Sequence, residues 1–169
     1  MKITTDSLRK LNACNGQVEL FGKLYPEGLE LPKRNPARQD VLDAAERGGL
    51  NVGWWLRRRH LNGIVRRWKN ESLIYEYHYR RGRLQDTADG TAAERRWNGA
   101  GVLIKETHYQ DGKLQDTADG IASVRRWNGA KALIKEAHYQ DNYLQDAADG
   151  TAAERKWTDA GTLFYERHY

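Results

Sequence analysis

Apolar residues follow two different periods along this chain, and the change falls near residue 60. Before it, Leu8, Leu11 and Cys14, then Val18, Phe21 and Leu24, recur at the three-residue spacing of a helix face. Asp6 or Ser7 is placed to cap the first helix, and Pro26 to stop the second. Asn35-Pro36 reads as an N-cap followed by proline at the first helical position, opening a third helix through Val41, Leu42 and Ala45 that ends at Gly48-Gly49. Asn51 caps a short fourth helix carrying Trp54, Trp55 and Leu56. The expectation for residues 1–60 is a small helical bundle whose last helix leads into the following sheet and covers its first edge. Cys14 is expected as a small buried hydrophobe within a helix.

After residue 60 the chain repeats. His78-Tyr79, His108-Tyr109, His138-Tyr139 and His168-Tyr169 recur every 30 residues, and Trp68, Trp97, Trp127 and Trp157 at 29, 30 and 30. A segment ending in Arg95-Arg96-Trp97 meets Asn98-Gly99-Ala100-Gly101, residues that tolerate positive φ in a tight turn. The next segment, Leu103 to Tyr109, ends at a second turn signature, Gln110-Asp111-Gly112-Lys113. Each unit therefore reads as a hairpin, and four units over 61–169 give about eight strands. The fold class expected is α+β, a helical bundle followed by an elongated antiparallel sheet of stacked hairpins.

Alternation along the second strand separates two faces. One repeats as Ile74/Glu76/His78, Ile104/Glu106/His108, Ile134/Glu136/His138 and Phe164/Glu166/His168, and its constancy marks it as the stacking face. The other varies, with Tyr75 and Tyr77, Lys105 and Thr107, Lys135 and Ala137, and is expected to be free. Glu is placed to pair across the hairpin with Arg95 or Arg96, while His fills a polar position under the sheet.

The units resemble the degenerate MORN-type repeats of the YwqK-type antitoxin-like family. That pattern of Trp or Tyr, turn glycine, Glu-x-x-Tyr and a following Asp-Gly-Lys matches Trp97, Gly99, Glu106, Tyr109 and Asp111-Gly112-Lys113. The resemblance runs from Asn62 to Tyr169 and implies a long, single-layered, twisted sheet. Two departures stand out: Asn142-Tyr143 replaces Gly-Lys in the third unit, and the first unit lacks the Gln-Asp-x-Ala-Asp-Gly lead-in. The run through Cys14, Phe21, Tyr25-Pro26-Glu27-Gly28, Ala44-Ala45 and Leu50 to Trp54 resembles a small helical module at the front of phage and prophage proteins, which implies a mobile-element origin.

Charge narrows the choice of partner. The formal charge is +5, yet residues 61–169 hold 17 Lys/Arg against 16 Asp/Glu, so a phosphate-binding surface there has to be a local patch. A single cysteine excludes an internal disulfide and CxxC metal sites, and no apolar run approaches the roughly 18 residues that cross a bilayer. The chain is expected in the cytoplasm, without membrane contact. The repeated Glu-x-His has the geometry of a metal ladder, and Asp86-x-x-Asp89-Gly90 hints at calcium, but cross-strand pairing and an Asx-turn account for them. No nucleophile, P-loop or GxGxxG carries chemistry, so no enzyme, cofactor or metal is expected.

Binding remains. Arg, Trp and Tyr dominate interface hot spots and also stack on bases. The candidate binding residues are Tyr75, Tyr77, Arg96, Lys105, Arg126 and Lys135 on the variable face. Arg57, Arg58, Arg66 and Arg67 join them in a patch where bundle meets sheet. The leading expectation is a phage-derived protein that inhibits a host factor of the defence type, as anti-CRISPR proteins do, by protein–protein contact. An antitoxin that sequesters a toxin and a nucleic-acid binder using the basic patch are the alternatives. The final strand offers an unpaired edge through which a homodimer can form.

Overall fold

Helical spacing at the front and strand alternation behind it produce an α+β fold, seen in a computed structural model that describes residues 2–30 and 39–169. The first part comprises β1 (Lys2–Ile3), α1 (Thr5–Lys10), α2 (Asn15–Leu24), β2 (Leu29–Glu30), α3 (Gln39–Arg47) and α4 (Val52–Arg58). Ile3, Leu8, Val18, Phe21, Leu42, Ala45, Val52, Trp55 and Leu56 are its buried core. Thr4, rather than Asp6 or Ser7, caps α1; its hydroxyl accepts from the Ser7 N–H while the Ser7 hydroxyl accepts from the Thr4 N–H. Asn51 caps α4 through the Trp54 N–H, as its position suggests. Cys14 is exposed at the N-cap of α2, because the chain turns there before the helix starts. Leu24, at the other end of α2, is also exposed. The short β1–β2 pair was not legible in the apolar pattern, being only two residues long on each side. The Asn35-Pro36 cap lies outside the described residues.

The array contributes β3 (Gly63–Lys69), β4 (Ser72–Arg80), β5 (Arg83–Leu84), β6 (Glu94–Trp97), β7 (Leu103–Thr107), β8 (Tyr109–Gln110), β9 (Lys113–Leu114), β10 (Val124–Trp127), β11 (Leu133–Ala137), β12 (Tyr139–Gln140), β13 (Tyr143–Leu144), β14 (Glu154–Trp157) and β15 (Leu163–Arg167). The main sheet is antiparallel throughout, in the order β15-β14-β11-β10-β7-β6-β4-β3, with β5 beside the end of β4. Its β3 edge is covered by α3 rather than by α4. Gln39 donates to the Ile64 carbonyl, Asp43 meets Arg66, Glu46 meets Arg67, and the Arg47 guanidinium lies 4.2 Å from the Trp68 ring centroid. The helices also lie over one face of the first hairpin, where Val65, Tyr77 and Tyr79 join their core. A side chain at Gly63 would come within 2.9 Å of Leu42, so glycine is what admits the helices there. At the opposite end β15 is outermost, with Leu163, Phe164 and Tyr169 exposed.

Each later unit interrupts its sheet with an excursion. The chain leaves the ladder where the Gln85 N–H bonds the His78 carbonyl and returns where the Ala93 carbonyl accepts from the His78 N–H. Seven residues are thus inserted opposite one histidine, and the same happens opposite His108 and His138. Asp86, the first of the seven, closes the mouth. Its Oδ1 accepts from the N–H groups of Ala93 (2.8 Å) and Tyr109 (2.9 Å), and its Oδ2 sits 2.6 Å from His108 Nδ1. Asp116 repeats this clasp with Ser123, Tyr139 and His138, and Asp146 with Ala153, Tyr169 and His168. Asp86 is therefore a tie between successive units, whereas the Asx-turn read for this segment belongs to Asp89, which accepts from the Thr91 N–H. Small residues from the excursions and the strands they return to are enclosed, Ala92, Ala93, Ala122, Ser123, Ala152 and Ala153, together with Thr107 and the histidines His108 and His138. The four tryptophans are only half-buried.

A carboxylate that binds two backbone N–H groups and an imidazole has no solvent substitute once enclosed. Asp116→Ala should therefore lower stability by about 2–4 kcal/mol, while Asp119→Ala on the exposed turn should change it by less than about 0.5 kcal/mol; urea midpoints compare them. The His138 imidazole is held up to about 9 by its hydrogen bond to Asp116 and then by the Glu136 carboxylate, 3.7 Å from its Nε2, against burial. Stability from a raised histidine is complete below its ordinary value of 6.5 and is lost as pH rises through about 9. The gap in melting temperature between wild type and His138→Gln should accordingly be widest below pH 6.5 and close above about 9.

Candidate functional site: a cationic row on one sheet face

Register decides what the paired arginines do. On one face of the sheet the cross-strand order is Arg66, Glu76, Arg95, Glu106, Arg125, Glu136, Arg155, Glu166, an unbroken alternation of charge. Arg66 Nε lies 2.9 Å from Glu76, Arg95 Nη2 2.5 Å from Glu76, Arg125 Nη2 2.8 Å from Glu106 and Arg155 Nε 2.6 Å from Glu136. Burial pushes the Glu76 carboxyl up, but hydrogen bonds from His78, Arg95 and Arg66 outweigh it and hold the group far below the usual carboxylate range. Each of these arginines after the first also covers its own unit's tryptophan, Arg95 over Trp97, Arg125 over Trp127 and Arg155 over Trp157, at 5.2–5.4 Å. This face is the structural one.

The opposite face carries the second residue of each pair. Its cross-strand order is Arg67, Tyr75, Arg96, Lys105, Arg126, Lys135, Lys156, Tyr165, six cations in one row without an intervening carboxylate. Neighbouring strands are about 4.8 Å apart, so Arg96 to Lys156 forms a run of like charges directly opposite one another, an arrangement that opposes sheet pairing. Glutamates in the next row relieve part of it. Lys105 Nζ lies 2.8 Å from Glu94, Lys135 Nζ 2.5 Å and Lys156 Nζ 3.3 Å from Glu154, and Arg67 Nε 3.5 Å from Glu46. Arg67, Arg96 and Arg126 are the exposed members.

A recurrent bulge shapes this face. Arg96 pairs with Lys105 but Trp97 with Leu103, which leaves Ile104 as an extra residue, and the other three hairpins repeat the shift at Ile74, Ile134 and Phe164. The bulge turns these side chains to the cationic side, so Ile104 and Ile134 line one depression with Arg96, Lys105 and Arg126. Strict alternation places them with Glu and His, and the extra residue is what overturns that reading.

Seven of the ten candidate residues share this face: Arg67, Tyr75, Tyr77, Arg96, Lys105, Arg126 and Lys135. Arg66 faces the other way and is engaged by Glu76 and Asp43, so it does not join Arg67 in a patch. Tyr77 packs on the helical core, and burial there raises its phenol to about 12. Tyr75 stacks against Tyr77 at 5.9 Å and lies beneath Arg96 at 5.0 Å. Arg57 and Arg58 are exposed in the last turn of α4. The Arg57 carbonyl oxygen lies within 2.8 Å of where a side chain at Gly82 would stand, which puts the end of α4 against the β4–β5 turn; Arg58 lies over Trp54. Lys156 is the member of the row that reading single units missed, since only cross-strand register reveals it.

The Nδ1 atoms of His108 and His138 are occupied by the clasp aspartates. Among the described residues no His, Cys, Asp and Glu side chains converge as a metal-binding group, and no helix is long and apolar enough to cross a membrane. The chain matches no protein-family model, no curated protein and no solved structure.

A row of like charges held in register costs stability, and a carboxylate inserted into it should recover some. Arg126→Glu is expected to raise stability by about 0.5 kcal/mol at low salt, with the gain shrinking as added salt screens the row; urea unfolding at two ionic strengths measures both.

Proposed function

We propose that this chain is a non-enzymatic binding protein that takes an acidic surface of a protein partner on the cationic face of its sheet. The observation that carries the reading is the row from Arg67 to Lys156, which accumulates charge where cross-strand pairing favours alternation, as the opposite face displays. The second residue of each Arg-Arg-Trp or Arg-Lys-Trp triplet keeps a cation in every unit, the variable position opposite it adds Lys105 and Lys135, and Arg67, Arg96 and Arg126 are presented to solvent. Like-charge rows of this kind steer association and discriminate against wrong partners. The resemblance of the front module to phage proteins supports a host factor, of the defence type, as the partner inhibited. Sequestration of a toxin, supported by the repeat resemblance, would use the same face and differ in the partner's identity.

Nucleic acid is the competing ligand for any cationic surface, and one experiment separates the two. Tagged wild type and an Arg67→Glu/Arg96→Glu/Arg126→Glu variant are used to pull down partners from bacterial lysate with and without nuclease, with circular dichroism confirming the fold of both. A stoichiometric protein held by wild type and lost by the variant is the expected result. A partner that disappears with nuclease, or one retained equally by the variant, overturns the proposal.

A further inference from the structure

Most cations of the row are answered by a carboxylate, and two are not. Lys105, Lys135, Lys156 and Arg67 are paired with Glu94, Glu154, Glu154 and Glu46. Arg96 has only the Tyr75 ring beneath it, and the Arg126 side chain makes no ion pair, hydrogen bond or ring contact among the described residues. The cause is legible in the repeats. Positions Glu94 and Glu154 of the second and fourth units correspond to Val124 in the third, set between Thr107 and Ala137 in the same row. Valine there, as at Val65 in the first unit, supplies no carboxylate beside Arg126, and with Glu94 held by Lys105 two exposed arginines remain on alternate strands, their backbones about 10 Å apart at two strand spacings.

Between them lies the depression walled by Ile104 and Ile134, with Lys105 and Trp127 also lining it. Glu94 at its side is already taken by Lys105. We propose that this depression is the anchor of the interface, and that it receives a helix of the partner protein bearing two carboxylates seven residues apart with an aliphatic side chain between them. Seven residues of helix advance about 10.5 Å, which matches the spacing of the two strands that carry the arginines, and a residue four along from the first carboxylate falls on the same helix face, above the isoleucines. Bidentate contact is the mode in which arginine binds carboxylate. The aliphatic walls favour such a helix over single-stranded nucleic acid, whose bases need free aromatic faces. Tyr75 already stacks on Tyr77 and carries Arg96, and one side of the Trp127 ring is covered by Arg125.

The inference rests on the function proposed above, and its test uses a defined probe rather than a natural partner. A fluorescent stapled helix with Glu at the first and eighth positions of one face and Leu at the fifth is titrated with the full chain. It is compared with a stapled helix of the same composition whose Glu and Leu are dispersed around the axis, and with oligothymidylate. Val124→Glu installs the residue the neighbouring units carry, so the fold tolerates it, and Arg126→Ala removes the anchor directly. Binding of the ordered helix, weakened about tenfold by either substitution with melting temperature retained, supports the anchor. Equal binding of the dispersed helix, indifference to Val124→Glu, preference for the oligonucleotide, or no binding overturns it. A lysate partner lost on the triple glutamate variant but kept by Val124→Glu would remove the anchor while leaving the cationic face as the docking surface.

Discussion

One carboxylate per unit holds the array together. Asp86, Asp116 and Asp146 each join an excursion to its own return point through the N–H seven residues on, and to the next hairpin through a backbone N–H and a histidine Nδ1. A single-layered sheet has no second layer against which to bury large apolar groups. This one encloses small residues and an ionic hydrogen-bonded clasp instead. Such a tie is directional, so it fixes the register of each hairpin on the one before, and with it the registers on which both sheet faces depend.

That register turns a repeated tripeptide into two unlike surfaces. In Arg-Arg-Trp the first arginine and the tryptophan share a face, where the guanidinium bridges glutamates and covers the ring. The second arginine points to the other side and meets only lysine or tyrosine across the strands. The structural demand is met by one face, which leaves the other free to accumulate charge of one sign. The near-neutral total of the array therefore conceals a strongly polarised sheet.

The helical part sets the limit of that surface. In the first hairpin no excursion is present; Gly63 stands in its place and admits Leu42 and Leu56, so helices cover Val65, Tyr77 and Tyr79. α3 covers the outer edge of β3 with groups that satisfy its carbonyl and both of its arginines. The same contacts close one end of the sheet to further pairing.

The thirty-residue period, the hairpin turns, the four helices' apolar stripes and the α+β class were all written in local sequence, because strand alternation, helix period and turn chemistry act over a few residues. Even the departure at Asn142 is intelligible locally: it takes the left-handed conformation of Gly112. What only the tertiary structure decided involves partners some twenty residues apart. The aspartate clasp spans 22 and 23 residues, the bulge that turns Ile104 and Ile134 to the cationic side appears only when two strands are paired, and the exposure of Arg126 follows from an absent glutamate in its own strand and the lysines opposite. Local patterns specify which elements form; the long-range hydrogen bonds specify which side chains face one another, and here that is where a functional surface separates from a structural one.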